Sequence, residues 1–270
     1  MKKTFGWAAG ILLGIGVIAT SFKPAPIAKA DTLATATTVA TDANSLSARF
    51  GQFASNVYQG AALEQSGLSL AVFEKALTGF YNLKLAHKLP QKSQVLTVVD
   101  FTLPSRAKRM WIIDLANKAL LLNTWVAHGQ GSGDDVATKF SNTEESHQSS
   151  LGFYVTDDIY FGKHGRSLRL DGMDAGFNNL ARQRAIVIHA ADYVCQNTIN
   201  QLGRLGRSFG CPAVSPLVAN QVINTLKGRN MLFINGNDNR YNSRYLNTEL
   251  AASAALGTDT AGKQPLTAAL

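Results

Sequence analysis

VLTVVDF, residues Val95–Phe101, opens a series of short runs dominated by β-branched, aromatic and aliphatic residues. RMWIIDL (Arg109–Leu115), ALLLNTWVAH (Ala119–His128), LGFYVTDDIYF (Leu151–Phe161), RAIVIHA (Arg184–Ala190) and MLFIN (Met231–Asn235) follow it. Such runs, punctuated by Gly, Asn, Asp and Ser, read as strands of an antiparallel sandwich or barrel rather than as βαβ units. The fold class is therefore mostly β, of α+β type. One late helix is legible in SPLVANQVINTLKG, with Ser215 at the cap and Pro216 at the first helical position. Towards the N-terminus, Phe73, Leu77 and Phe80 fall at i, i+4 and i+7 after Ser69, the spacing of an amphipathic helix that ends before Pro90.

The two ends of the chain read differently. A basic start, MKKTFGW, leads into the apolar run AAGILLGIGVIATSF, then Pro24, Pro26 and the small-x-small triplet Ala28-Lys29-Ala30. This is the layout of an export signal cleaved after Ala30. The run is shorter than the ~20 residues that span a bilayer, so an uncleaved anchor is the lesser reading and no stable membrane insertion is expected after cleavage. Residues 31–60 start with an Ala/Thr-rich stretch and read as a flexible lead-in, 61–90 as a helical segment, 91–237 as the main β-rich domain and 238–270 as a tail.

Composition narrows the classes. The chain has 270 residues, 46% of them apolar and 16% charged, against a typical ~25% charged. That excludes wholesale disorder and a coiled coil. The net charge is +8, but Lys2, Lys3, Lys23 and Lys29 lie in the signal, which leaves +4 for the rest. With no basic stripe, a nucleic-acid partner is not expected.

The chemistry concentrates in RSFGCPAV, Arg207–Val214. A free thiol, pKa ~8.5, needs help to become a nucleophile. His189 ends a β-type run 22 residues before Cys211, and a strand end is a rigid platform for a base. Gly210 permits positive φ and close approach by a substrate. Pro212 has no N–H, so a local oxyanion hole must draw on Cys211, Gly210 or Phe209. Ser208 is placed to orient the site, and Arg204 and Arg207 carry forks suited to a carboxylate.

The alternatives stay open on these residues alone. Gly210-Cys211-Pro212 also fits a tight turn around a structural cysteine, with Cys195 and Cys211 bridged in an exported chain. A zinc site from His189, Cys195 and Cys211 lacks a CxxC pair or HExxH and is the weaker reading. His164, in FGKHGRS with Arg169 and Asp171 nearby, fits either a cleft wall or a solvated turn. His128 precedes GQGSGDD, which lacks the phosphate-loop pattern. A papain-like order is excluded, because there the Cys precedes the His.

The IHA…RSFGCPA arrangement resembles the L,D-transpeptidase (YkuD-like) family, and within it the murein L,D-transpeptidase catalytic domain. SGLSLAVFEKAL, VAHGQGSGDDVATKFSNTEESHQSSLGFYV, YFGKHGRSLRLDG and RAIVIHAADYV extend the likeness from about Ser66 to Asn235. The resemblance implies a mixed β-sandwich with peripheral helices, no cofactor or metal, and peptidoglycan stem peptides as substrates of an exported, periplasmic or secreted enzyme. Carried across, Cys211 matches the nucleophile, His189 the general base, and Ser208 and Gly210 the motif's Ser and Gly. Gly152 is expected to be a scaffold position. Phe209 replaces the motif His and Ala213 stands where many members have Arg or Asn, so Arg207 is expected to supply the missing positive charge. Arg204, Phe209 and His164 complete the expected substrate-binding set. The implied reaction is a 3→3 cross-link through a Cys thioester with release of D-Ala. A carboxypeptidase on the same site and a non-catalytic wall-binding module with a disulfide are the rivals. The oligomeric state is not legible.

Overall fold

The computed structural model describes residues 45–257; the expected export signal and its cleavage site lie outside them. Five α-helices and nine strands follow the order α1 (Leu46–Gly60), α2 (Leu70–Leu85), β1 (Val95–Asp100), β2 (Met110–Asp114), β3 (Ala119–Thr124), β4 (Val126–Ala127), β5 (Gly152–Gly162), β6 (Gly165–Gly172), β7 (Val187–Ala190), α3 (Gln196–Leu202), β8 (Ala213–Val214), α4 (Pro216–Leu226), β9 (Met231–Asn235) and α5 (Thr248–Leu256). The strands form one mixed sheet, β3-β2-β1-β9-β5-β6-β7-β8-β4. Its outermost strands, β3 and β4, are separated in the chain only by Trp125. The sheet must therefore bend round until its ends meet, which makes it a sandwich.

Alternation along the central strands sorts their side chains into two cores. Leu96, Val98, Trp111, Ile113, Phe153, Val155, Met231 and Phe233 face α1, α2 and α5. Val99, Met110, Ile112, Tyr154, Leu232 and Ile234 face inwards, where they meet Leu168, Leu170, Ile188, Val214 and Val126 from the other half of the sheet. Ala219, Val222, Ile223 and Leu226 of α4 close that second core. The central strands are buried on both faces, which is why they read as continuous apolar runs.

Three expectations need correction. The lead-in assigned to residues 31–60 contains α1, whose Phe50, Ala54, Val57 and Tyr58 are buried at helical spacing and whose Ser45 Oγ accepts the Ala48 N–H at 3.1 Å. The tail assigned to 238–270 contains α5, with Ala251 and Ala252 packed into the first core and Asn247 capping Leu250 at 3.0 Å. The segment leading to it is fastened by Tyr241 and Ser243 hydroxyls donating to buried Asp174 at 2.9 and 2.5 Å, and by Asn82 donating to the Tyr245 and Asn247 carbonyls at 2.8 Å each.

The third correction concerns the antiparallel reading. β1 and β9 are parallel, and so are β7 and β8, which makes β7-α3-β8 a βαβ unit. Parallel neighbours need a crossover of a dozen or more residues, and the stretch from Ala191 to Pro212 provides it. Ser69 and Ser215 occupy the cap positions of α2 and α4, but neither side chain makes a capping bond.

Candidate active site

The parallel β7–β8 pair explains the spacing of the two reactive residues. His189 lies opposite Ala213 in the parallel register, so Cys211, two residues before Ala213, arrives beside Val187 at the start of β7, two residues before His189. Both side chains line one cavity of about 410 Å³, together with Tyr160, Lys163, His164, Arg184, Tyr193, Arg207, Ser208 and Phe209.

Buried His189 donates from Nδ1 to the Ala190 carbonyl at 2.8 Å. A carbonyl only accepts, so Nδ1 carries the hydrogen and Nε2 is left with its lone pair. Burial pushes the His189 pKa down, helped by the charge of Lys163 and by His164, whose ring stacks on His189 at 4.2 Å. Burial also pushes the Cys211 thiol up, against the opposing effects of the Val187 N–H at 3.5 Å and the charges of Arg184 and Lys163. Both shifts favour the uncharged forms, and the Cys211 thiol donates to the Ala185 carbonyl at 3.7 Å.

The loop carrying Cys211 is knit by Ser208. Its Oγ donates to the Cys211 carbonyl at 2.6 Å and accepts the buried Gly210 N–H at 3.1 Å. Its backbone is pinned to the neighbouring segment, with Ser208 N–H donating to His128 O at 2.9 Å and Gln130 N–H to Ser208 O at 2.8 Å. Gly210 has φ +123°, the left-handed side that favours glycine. Because its N–H is engaged by Ser208, the expected contribution of Gly210 to an oxyanion hole is withdrawn, and the Cys211 and Phe209 N–H groups are the remaining local donors.

The GQGSGDD stretch acts as scaffold. A Cβ on Gly129 would lie 2.8 Å from Gly210 Cα and 2.9 Å from its N, and would collide with the His147 carbonyl. Asp134 pairs with Arg204 at 2.6 Å and Arg207 at 3.3 Å, while Asp135 pairs with Arg106. His128 is fully buried against Arg109, which donates to its Nδ1 at 2.7 Å and to the Val126 and Leu103 carbonyls. Burial first, then the Arg109 charge, drive the His128 pKa down to about 4. Gly152, with φ +113°, is a scaffold position, because a Cβ there would run into the Asp174 carboxylate.

Of the residues singled out in the sequence, Cys211, His189, Ser208, Arg207, Phe209 and His164 stand in the cavity wall; Gly210 does not line it but bonds to Ser208, which does. Arg204 does not line it, being held by Asp134 and the Leu205 carbonyl. Arg207, expected to offer a free fork, donates to the Gly133 carbonyl at 2.7 Å and shares Asp134. Phe209 is exposed and stacks on His147 at 4.6 Å. The disulfide reading falls: both cysteines are free thiols, and Cys195 lies at the start of α3 with its sulfur 3.3 Å from Thr198 Oγ1. Among the described residues no group of three or more His, Cys, Asp or Glu is gathered to hold a metal ion.

Sequence reading missed Arg184, Lys163, Tyr160 and Tyr193. Arg184 donates to the Ser141 and Gln148 carbonyls at 2.8 Å each and to Ser146 Oγ at 3.2 Å, and also bonds Ser150 Oγ, so it fixes the 141–150 loop beside Cys211. Burial and the neighbouring Cys211 push the Tyr193 hydroxyl up to about 12. The available signal was the Arg immediately before the AIVIHA run.

The cysteine and the histidine thus reach one cavity from the two strands of a βαβ unit. The chain belongs to the L,D-transpeptidase catalytic domain family, whose model matches residues 64–235. No curated protein matches the chain. Among solved structures, an L,D-transpeptidase from Mycobacterium smegmatis is similar at 13% identity, with 53% of this chain and 59% of that one covered and a TM-score of 0.34. An L,D-transpeptidase from Stackebrandtia nassauensis gives 12%, 71%, 93% and 0.33 in the same order. The helical cell shape determining protein of Campylobacter jejuni gives 12%, 67%, 63% and 0.36. The chain thus spans about three-fifths of the M. smegmatis protein.

Proposed function

We propose that the protein is an exported, periplasmic or secreted L,D-transpeptidase that forms 3→3 cross-links between peptidoglycan stem peptides. The observation that carries this reading is the convergence of His189 and Cys211 on one cavity within a chain of that family. In the reaction, His189 Nε2 takes the Cys211 proton as Sγ attacks the carbonyl of the L-centred third stem residue. The C–N bond to D-Ala breaks, and the proton passes from His189 to the departing amine. The side-chain amine of a neighbouring stem then attacks the thioester, its proton returns through His189, and the thiol is restored. In this reading Cys211 N–H serves the tetrahedral oxyanion, a donor worth ~3–4 kcal/mol in comparable sites. Ser208 and Gly210 hold the nucleophile rather than touch substrate. No carboxylate lines the cavity, so an incoming ammonium is favoured in its neutral, nucleophilic form.

The test is mass-spectrometric muropeptide analysis after incubating the mature protein with tetrapeptide-bearing peptidoglycan, beside Cys211→Ala. New 3→3 dimers with loss of D-Ala, absent from the variant, are expected. Cys211-dependent tripeptides without dimers would instead make the protein an L,D-carboxypeptidase. No Cys211-dependent product would overturn both.

A further inference from the structure

We propose that Lys163 is the specificity residue of the donor site, its ammonium receiving a carboxylate of the acyl-donor peptide next to the scissile bond. The inference rests on the L,D-transpeptidase reading of the cavity and adds what its donor must carry.

Three cations stand in the cavity wall, Lys163, Arg184 and Arg207, with no Asp or Glu among them. Two of the three are already engaged. Arg207 is bound to the Gly133 carbonyl and Asp134. Arg184 spends both terminal nitrogens on Ser141, Ser146, Gln148 and Ser150. Lys163 alone of the three has no hydrogen bond or ion pair among the described residues; its Nζ lies 5.8 Å from the centre of the Phe209 ring.

Position adds to charge. Lys163 sits at the turn of the β5–β6 hairpin, between Gly162 and His164, and the His164 ring lies on His189. Its charge is felt at both Cys211 and His189. A peptide that fills the cavity strips water from this ammonium, and a desolvated cation is costly unless the ligand brings an anion to it. A neutral donor would leave Lys163 unpaired beside Arg184 and Arg207. A donor with a carboxylate near the reacting carbonyl would satisfy it. Two carboxylates qualify, the C-terminal one of the departing residue and one on the side chain of the third residue.

The experiment compares wild type, Lys163→Gln and Lys163→Arg on synthetic stem tetrapeptides whose C-terminal carboxyl, third-residue side-chain carboxyl, or neither, is amidated. Release of the terminal residue gives KM and kcat. Lys163→Gln is expected to raise KM at least about tenfold on the free-acid donor, with Lys163→Arg retaining most of the affinity. Amidating the carboxylate that Lys163 reads should weaken wild type to a similar degree and abolish the difference from Lys163→Gln, so the amide with this effect identifies the source. Equal KM changes on all donors, or none, would overturn the proposal. So would a loss confined to kcat with a shifted pH profile of Cys211 alkylation, which would make Lys163 an electrostatic aid to the thiol. If wild type turns over none of the donors, the transpeptidase reading fails separately. Calorimetric binding of the same peptides to Cys211→Ala, with and without Lys163→Gln, then decides the carboxylate question.

Discussion

Ser208→Ala removes one oxygen and strands two groups. The Ser208 hydroxyl donates to the Cys211 carbonyl at 2.6 Å and accepts the buried Gly210 N–H at 3.1 Å. Without it the Gly210 N–H has lost its acceptor inside the protein, a loss of about 1–3 kcal/mol, and the part-buried Cys211 carbonyl adds less because water reaches it. A total near 2 kcal/mol lowers Tm by roughly 4–8 °C in a domain of this size. Catalysis should suffer more than stability. The two bonds fix the backbone on either side of the nucleophile, and a displacement of about 1 Å there costs on the order of 100-fold in rate. The assay pairs thermal unfolding with kcat/KM for release of the terminal residue from a stem tetrapeptide. Ser208→Thr, which keeps the hydroxyl, should recover much of both. Ser208→Ala with wild-type Tm and kcat/KM within twofold would refute the role given to this side chain.

Two further predictions follow from burial. In a Cys195→Ser background, alkylation of Cys211 should accelerate only at pH above the free-thiol value of ~8.5, because burial raises the thiol and lowers His189; a rate already at its plateau at pH 6 would establish a resting ion pair instead. His128 is held neutral in the folded protein down to pH about 4, whereas its unfolded-state value is near 6.5. Its contribution is intact above pH ~6.5 and lost as pH falls to about 4, in all roughly 3 kcal/mol. Denaturant unfolding at pH 7 and pH 4.5 should show a drop that is much smaller in His128→Asn; equal drops would remove His128 from the acid sensitivity.

How far the sequence carried this structure depends on range. β1, β2, β5, β7 and β9 were visible because each is an apolar run, and Phe73, Leu77 and Phe80 announced α2. Parallel pairing was invisible, since the β7 and β8 side chains alternate in the same way whichever direction their neighbour runs. α1 carried a readable signal in Phe50, Ala54, Val57 and Tyr58, obscured by the Ala/Thr-rich stretch before it. In α5 the buried residues are alanines, which supply close packing without marking an apolar face. At the site, Cys211 and His189 were legible because motif and crossover are local. The free cation was not: Arg207 lost its fork to Asp134, and Lys163 reaches the cavity only through the β5–β6 hairpin.

The seam at the middle of the sheet joins segments more than 130 residues apart in the chain. β9 enters between β1 and β5, so residues 95–100 wait for 231–235 before the central ladder exists. Pairing over such a separation makes folding slow, and the first core cannot close until Met231–Asn235 has been made. Any fragment ending before Met231 would leave one edge of β1 and one of β5 without their partner, unpaired edges open to other chains. Synthesis as far as Asn235 is thus a condition for the cavity itself, imposed by topology.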